Sequence, residues 1–211
     1  MNKYSLELKN LSKTYNRRVI FDNINLTYNA NGIYGIAGAN GSGKSTLVKI
    51  IAGLLNHSSG SVVHTLEGKT LQQDDILNHI GFASPYLNLY EEFSAIENID
   101  MLTAIRGLEK NSEYEDYLFK TFLLSDRRKD VLRAYSSGMK QRLRLIFAFV
   151  HNPQLIILDE PISNLDNNGR DQIYSLIDEN KDKKIILIAS NEDTDLALCN
   201  SVINIQDYKK K

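Results

Sequence analysis

The chain has 211 residues, of which 42% are hydrophobic and 24% charged, and its 25 basic and 26 acidic side chains give a formal net charge of −1. This balance is typical of a globular domain with a large core, and it argues against a nucleic-acid-binding protein, which normally carries a strongly basic surface. The single cysteine, Cys199, excludes an internal disulfide and favours a reducing compartment. No stretch approaches the roughly 20 apolar residues that cross a bilayer, and the N-terminus lacks the apolar run of a signal peptide. We therefore expect any membrane role to come through a partner.

The N-terminal region predicts two short strands, at residues 6–8 and 19–21, followed by a turn at Asp22 and Asn23. Tyr15 lies between the two predicted strands. Its ring could stack on an adenine, whose flat face pairs with an offset aromatic ring. A tyrosine in a β-rich stretch is more often simple packing, so the residues alone leave both interpretations open.

A glycine-rich stretch follows a predicted strand at residues 33–37 and fits the phosphate-binding pattern G-x-x-x-x-G-K-S/T. Its residues are Gly38, Ala39, Asn40, Gly41, Ser42, Gly43, Lys44, Ser45 and Thr46. Glycines let backbone N–H groups turn inward around phosphate oxygens at the start of a helix. Lys44 would reach the β- and γ-phosphates of a nucleotide, and the Ser45 hydroxyl would bind Mg²⁺.

The residues after this stretch predict a helix with one apolar face, made of Leu47, Ile50, Ile51 and Leu54. A strand before the glycines and a helix after them are the context that the phosphate-binding pattern requires. The sequence therefore favours a nucleoside triphosphate site over a plain glycine-rich turn.

Residues 61–64 and 80–83 predict further strands, and residues 86–150 have the spacing of a mainly helical insertion. Five large apolar side chains come just after Pro85: Tyr86, Leu87, Leu89, Tyr90 and Phe93. If they are exposed, they predict a surface that binds a partner. If they are buried, they form part of the insertion's own core, and the sequence favours neither alternative.

The insertion ends in the sequence Y-S-S-G-M-K-Q-R at residues 135–142, which opens a further predicted helix. One apolar face of that helix holds Met139, Leu143, Ile146, Phe147 and Val150. Ser136 or Ser137 would cap its start and leave backbone N–H groups pointing outward.

An apolar run at residues 155–158 ends in two adjacent carboxylates, Asp159 and Glu160. This pattern predicts a buried parallel strand whose carboxyl end opens on a site. Asp159 suits Mg²⁺ coordination through water, and Glu160 suits the activation of an attacking water. The alternative is a loop in which both acids are simply solvated. Residues 184–189 predict the last strong strand, and residues 202–205 could close an edge of the sheet.

Taken in this order, the motifs resemble those of the nucleotide-binding subunit of ATP-binding cassette (ABC) transporters. Residues 38–45 match the Walker A motif of that family, and residues 155–160 match its Walker B motif with the glutamate that follows it. Residues 163–166 match the S-x-L-D of the D-loop, and residues 135–142 are similar to the signature L-S-G-G-Q and its basic continuation. Within the signature, Ser136 and Gly138 match strictly.

The resemblance implies an α/β fold with a phosphate-loop NTPase (RecA-like) core, a mainly parallel sheet, an N-terminal antiparallel β part and an inserted helical subdomain. It implies one ABC ATPase domain over residues 1–211, with an ATP-binding core at 1–85 and 151–211 and a helical subdomain with the signature at 86–150. It also places Tyr15 at the position of the adenine-stacking aromatic residue.

For function, the resemblance implies that two such chains, identical or different, close head to tail around two ATP molecules, with Mg²⁺ held through Ser45 and Asp159. Each ATP would contact residues 38–46 of one chain and Ser136, Ser137 and Gly138 of the other, with Asp166 in the D-loop. Transmembrane permease subunits would hold the chain peripherally on the cytoplasmic face of the membrane. The resemblance implies no nucleic-acid partner.

Two positions depart from the family pattern. Pro85 stands where a glutamine usually touches Mg²⁺ and water, and Asn191 stands where a histidine usually contacts the γ-phosphate. The resemblance therefore implies a catalytic set of Glu160 as base, Lys44, and Asn191 as a neutral hydrogen-bond donor. Either other residues compensate for these two departures, or hydrolysis is slow.

We predict an ATPase subunit of a membrane transporter. Export is favoured because the chain is too short for the extra C-terminal domain common in the ATPases of sugar importers. Two alternatives stay open: a soluble ABC-type ATPase not tied to transport, and a slow nucleotide-gated binding module. The second alternative follows from Pro85 and Asn191.

Overall fold

The computed structural model describes residues 4–209 and contains two β-sheets with helices around them. The strands are β1 (Tyr4–Tyr15), β2 (Arg18–Tyr28), β3 (Gly32–Ala37), β4 (Ser59–Leu66), β5 (Lys69–Thr70), β6 (Ile80–Ala83), β7 (Leu155–Asp159), β8 (Ile185–Ser190) and β9 (Ser201–Asn204). The helices are α1 (Lys44–Ile51), α2 (Gln73–His79), α3 (Ala95–Ile105), α4 (Ser112–Thr121), α5 (Ser137–Phe149), α6 (Asn167–Asn180) and α7 (Asp193–Leu196). The predicted combination of a parallel core, an N-terminal antiparallel part and an inserted group of helices is confirmed.

The N-terminal sheet is antiparallel, with the strand order β2-β1-β4-β5. Strands β1 and β2 are much longer than the two short segments that the sequence predicts for them. The predicted turn at Asp22 and Asn23 is wrong, because both residues lie inside β2. Asn23 has a φ of 56°, and the pairing of β1 with β2 shifts register near this point, so the turn signal marks a β-bulge. The chain reverses at Asn16 instead, where φ is 53°.

The second sheet is parallel, with the strand order β6-β7-β8-β3-β9. Every residue of β7 and β8 is buried, as expected for central strands that read as continuous apolar runs. The sheet register pairs Ala83 with Leu158, Asp159 with Ala189, and Ala37 with Ser190. The carboxyl ends of β3, β6, β7 and β8 therefore lie side by side at one edge, which is where parallel sheets bind ligands.

The parallel sheet separates two layers of the core. One face packs against α1 and the antiparallel sheet, through side chains such as Leu47, Ile51 and Phe21. The other face packs against the helices inserted between β6 and β7, through side chains such as Phe119 and Phe149. The inserted helices thus share one hydrophobic cluster with the sheet that carries the site.

Helix boundaries follow from local capping. Helix α3 begins at Ala95 rather than near residue 91, because Ser94 and Glu97 form a capping box that fixes its first turn. Helix α1 ends at Ile51, and Gly53, with a φ of 72°, turns the chain away. The prediction that Leu54 belongs to the buried face of α1 is therefore wrong, since Leu54 is half exposed.

Helix α6 was not predicted from the sequence, although its signals are present. Asp166 caps its start, and Ile173, Leu176 and Ile177 repeat at helical spacing and are buried. None of the helices formed by residues 4–209 combines the length and the apolar composition that crossing a bilayer requires.

Candidate nucleotide site

The turn between β3 and α1 is built for a close approach to phosphate. Gly38, Gly41 and Gly43 have φ angles of 154°, 73° and 116°, which favour glycine. A Cβ atom on Gly38 would lie 2.6 Å from Ser42 Oγ, and one on Gly43 would lie 2.6 Å from a methyl group of Ile20. The glycines are thus required both for the backbone conformation and for the space, and the turn leads directly into the N-terminus of α1.

Lys44 lies across the mouth of this turn. Its side chain is 4% exposed, and its Nζ donates to the carbonyl oxygen of Gly38 at 2.7 Å. The same nitrogen is 3.1 Å from Glu160 Oε1. The ammonium group therefore connects the glycine turn with the end of β7, and a γ-phosphate would compete with Glu160 for it.

Asp159 is fully buried at the end of β7 and is held by two serines. Ser45 Oγ donates to Asp159 Oδ1 at 3.0 Å, and Ser84 Oγ donates to Asp159 Oδ2 at 3.0 Å. Burial raises the pKa of the Asp159 carboxyl above its ordinary value, and the two hydrogen bonds act in the opposite direction. A nearby cation would favour the charged carboxylate further.

The donor set fits Mg²⁺ rather than a metal held by protein alone. Within residues 4–209, no three His, Cys, Asp or Glu side chains are grouped to hold a metal ion. Mg²⁺ usually takes only one or two protein ligands, and phosphate oxygens and water complete its shell. Ser45 and Asp159, which already touch each other next to the glycine turn, match that requirement.

Glu160 follows Asp159 in a left-handed backbone conformation, with a φ of 49°. Its N–H donates to the carbonyl oxygen of Ala189 at 2.8 Å, which anchors the residue to β8. With the Asn191 amide nitrogen facing Glu160, that nitrogen donates to Oε2 at 3.0 Å and to Oε1 at 3.3 Å. The Glu160 side chain, which is 22% exposed, is thus oriented toward the cavity by Lys44 and Asn191.

A cavity of about 860 Å³ opens over these groups, and residues 40–46, Pro85, Glu160, Asn164, Arg170 and Asn191 are among those that line it. Ser42 Oγ is buried beside it and has no hydrogen-bond partner among the described residues. A buried hydroxyl without a partner in a glycine turn is a ready donor to a phosphate oxygen. The residues present therefore fit a nucleoside triphosphate.

Tyr15 lies outside the set of residues that line the cavity. Its ring is 44% exposed at the end of β1, and Lys13 Nζ lies 4.5 Å from the ring centroid. One face of the ring is therefore close to a cation and the residue is accessible. Stacking on adenine stays a prediction.

The signature residues do not line the chain's own cavity. Ser136 Oγ accepts a hydrogen bond from the backbone N–H of Met139 at 3.2 Å, so Ser136 is the cap of α5. Ser136 and Ser137 are exposed, and Gly138 is close to Asn164, where an added Cβ would lie 3.0 Å from the backbone oxygen. The start of α5 thus faces outward from this chain.

Asp166 is exposed and makes two contacts with other residues of its own chain. It accepts a hydrogen bond from the backbone N–H of Gly169 at 2.8 Å, which caps α6, and it pairs with Arg142 of α5 at 2.7 Å. These bonds keep the pKa of Asp166 below its ordinary value. The D-loop is therefore fastened to the signature helix α5 as well as to the start of α6.

The structure brings Lys44, Ser45, Asp159, Glu160 and Asn191 together at one sheet edge. Ser84, which donates to Asp159, is a site residue that the sequence patterns do not predict. A hydroxyl residue at the end of a strand next to the carboxylate strand was the available signal.

The model of the ABC transporter family matches residues 21–163 of this chain. The lantibiotic transport ATP-binding protein SrtF of Streptococcus pyogenes is 32% identical over 186 residues, which are 88% of this chain and 79% of that protein. The bacitracin transport ATP-binding protein BcrA of Enterococcus faecalis is 35% identical over 184 residues, or 82% of this chain and 56% of that protein. Among solved structures, a dimeric ATP-binding cassette in a post-hydrolysis state, bound to ADP and Pi, superposes with a TM-score of 0.84 at 23% identity, covering 98% of this chain and 97% of the other.

Proposed function

This chain belongs to the ABC transporter family as an ATP-binding subunit with ATPase activity, and we propose that it powers an exporter by closing head to tail with a second ATPase chain. The observation that carries the proposal is the convergence of Lys44, Asp159 and Glu160 at the mouth of the glycine turn. We further propose the division into a core (1–85 and 151–211) and a helical subdomain (86–150), whose outermost residues 1–3 and 210–211 lie outside the described chain.

Hydrolysis needs a base for the attacking water, and Glu160 is the proposed one. Its carboxylate faces the cavity and accepts hydrogen bonds from Asn191, which orient it. When ATP enters, Lys44 turns from Glu160 to the γ-phosphate, and the freed carboxylate can accept a proton from water. Asn191 then supplies a neutral donor, which is weaker than the histidine usual at this position by about 1 kcal/mol.

Ser45 and Asp159 would hold Mg²⁺ at the phosphates. The bound ion would neutralise the charge that develops on the phosphate oxygens. The protein's part is to keep Asp159 charged and correctly turned, which the two serine hydroxyls support.

The outward position of Ser136, Ser137 and Gly138 supports the proposed dimer. None of them lines the chain's own cavity, which supports the proposal that they contact an ATP presented by a second chain. A helix N-terminus favours an anion, and at the start of α5 Ser136 Oγ already satisfies the N–H of Met139. In the proposed dimer, the signature residues of the second chain would therefore complete the γ-phosphate site of the first.

An exposed aromatic patch supports a membrane partner. Tyr86, Tyr90 and Phe93 are exposed, whereas Leu87 and Leu89 are half buried, so the five-residue segment is divided between surface and core. The patch borders an apolar groove of about 220 Å³ that is lined by Leu54, Leu77, Phe82, Leu87, Leu89 and Met101. Tyr86 also lines the nucleotide cavity, so the patch and the ATP site are continuous. We propose that an amphipathic helix of a transmembrane permease subunit binds this groove and holds the chain at the cytoplasmic face of the membrane.

The proposed transport role draws on the names of two relatives. The relatives SrtF and BcrA are named for lantibiotic and bacitracin transport, which supports a transport role. Export of a compound of that kind is the direction that we propose.

Reconstitution tests this function. The chain is co-expressed with candidate polytopic membrane proteins and purified, and ATP turnover is measured with and without the membrane protein that co-purifies. We expect Tyr90→Ala to weaken the complex, because the Tyr90 and Phe93 rings pack together in the patch, with 5.8 Å between their centroids. Tyr117→Ala is the matched control, since Tyr117 stacks near Tyr114 (5.9 Å) on the helical insertion away from the groove. A chain that neither binds the membrane protein nor responds to it would favour the soluble ABC-type ATPase.

A further inference from the structure

The end of β6 carries an unusual pair of residues. Pro85, at the position of the family's glutamine, has no side-chain hydrogen-bonding group, and Ser84 before it contacts Asp159. We propose that Ser84 is a positioning residue that holds the Asp159 carboxylate in the orientation that binds Mg²⁺. This proposal rests on the proposed function, because it assigns Ser84 a role at the same Mg–ATP site.

Each oxygen of the Asp159 carboxylate accepts a hydrogen bond from a different serine hydroxyl. Ser45 holds Oδ1 and Ser84 holds Oδ2, each at 3.0 Å. Ser84 is 1% exposed and Asp159 is fully buried, so the Ser84 bond is shielded from bulk solvent. Without that bond, one oxygen of a buried carboxylate would lose its donor, and the group would be free to turn about its own bonds. A carboxylate that is not oriented binds a metal less tightly.

Ser84 also fixes the segment that follows it. Its Oγ accepts from the backbone N–H of Tyr86 at 3.4 Å, and its carbonyl oxygen accepts from the N–H of Leu87 at 3.0 Å. The start of the exposed aromatic patch is therefore tied to the residue that holds the metal ligand. In this chain the Ser84 hydroxyl thus links Asp159 to the backbone of Tyr86, a link that Pro85 cannot make because it has no side-chain hydrogen-bonding group.

The chain contains a matched arrangement at a neighbouring strand. Ser190 ends β8, is fully buried, and donates to Asp195 Oδ2 at 2.6 Å. Its Oγ also accepts from the backbone N–H of Glu192, at 3.1 Å. Ser190 thus makes the same two bonds as Ser84, but to an aspartate that has no contact with Ser45. Loss of the Ser190 hydroxyl is therefore a control for the general cost of removing a buried serine.

The test compares nucleotide affinity with and without metal. Calorimetry gives the affinity for a non-hydrolysable ATP analogue with Mn²⁺ and again in EDTA, and the ratio of the two reports how well the protein binds the metal. We expect Ser84→Ala to lower this ratio about tenfold, the lower end of the range for partners of metal ligands, because Ser45 still holds the other oxygen. The affinity in EDTA should stay within about twofold of wild type, since Ser84 does not contact the glycine turn. Ser190→Ala should leave the ratio unchanged.

Ser84→Cys keeps a side chain of similar size with a weak donor, and it should lower the ratio in the same direction by a smaller factor. Thermal denaturation shows whether each variant is folded. If Ser84→Ala does not fold, the ratio measured for Ser84→Cys decides the test. A wild-type ratio in the Ser84 variants, or an equal fall in Ser190→Ala, would overturn the proposal. If wild type itself gains no affinity from Mn²⁺, then the proposed Mg²⁺ site is wrong and the fault lies with the proposed function.

Discussion

Replacing Glu160 by glutamine removes the proposed base while changing little else. Glutamine has nearly the same size and shape, and it tolerates the left-handed conformation at this position about as well as glutamate does. The amide oxygen can still accept from Lys44, and the fold contacts of the residue are made by its backbone. The perturbation is therefore confined to one negative charge and one proton acceptor.

The size of the effect follows from the two roles of the carboxylate. Loss of general base catalysis lowers turnover by about 10²- to 10⁴-fold, or roughly 3–5 kcal/mol in the barrier. The affinity for ATP should rise in this variant, although turnover falls. In the unliganded protein, Glu160 occupies Lys44 at 3.1 Å, and a neutral acceptor holds an ammonium group less strongly by about 1 kcal/mol. Lys44 is then easier to release to phosphate, so ATP affinity should rise about fivefold rather than fall.

Steady-state ATPase assays and calorimetric ATP binding on purified protein measure both numbers. The matched control is Glu109→Gln, which removes one exposed carboxylate that does not line the nucleotide cavity. Its turnover should stay within about threefold of wild type. If Glu160→Gln turns over like wild type, the base assignment fails and Pro85 and Asn191 indicate a rebuilt site. If ATP affinity falls instead of rising, the competition between Glu160 and phosphate for Lys44 is wrong.

Three further expectations follow from neighbouring contacts. Lys44→Ala should abolish tight ATP binding while the circular dichroism spectrum stays that of wild type; ATP binding at the wild-type level would remove Lys44 from the phosphate site. Asn191→Ala should slow ATP hydrolysis several-fold. Asn191→His should hydrolyse ATP at least as fast as wild type, because a protonated imidazole is a stronger donor to phosphate. Equal rates in wild type and both variants would show that residue 191 has no role in hydrolysis. Burial lowers the pKa of His64 to about 4 from an ordinary 6.5, so the stability linked to its neutral form is present above pH 6.5 and is lost as the pH falls toward 4. Urea unfolding at pH 7 and pH 4.5 should differ by on the order of 2 kcal/mol, and His64→Leu should reduce that difference.

The parts of the site that the sequence predicts well are those with strong local patterns. The glycine turn, the strand ending in Asp159 and the capped start of α5 each have a signal in adjacent residues. Because parallel strands end at one edge, the neighbourhood of Asp159 and the glycine turn also follows from the fold class.

The parts that it predicts poorly depend on contacts between distant residues. The hydrogen bond from Ser84 to Asp159 joins positions 75 residues apart, so no pattern of adjacent residues predicts it. The Lys44 and Glu160 pair is similar, since it forms only once β7 lies near the glycine turn. The Asp22 and Asn23 error has another cause, because a bulge and a turn use the same residue types and only strand pairing separates them.

The separation of Ser136 and Gly138 from the cavity of their own chain has a consequence for mixed populations. In the proposed dimer, a chain with a defective Lys44 and a chain with a defective Gly138 would meet so that both lesions fall in one ATP site. The other site would be wholly wild type. Two inactive proteins could then complement each other when mixed, whereas two copies of the same variant never would. ATPase activity would thus depend on which two chains form the dimer, and not on either chain alone.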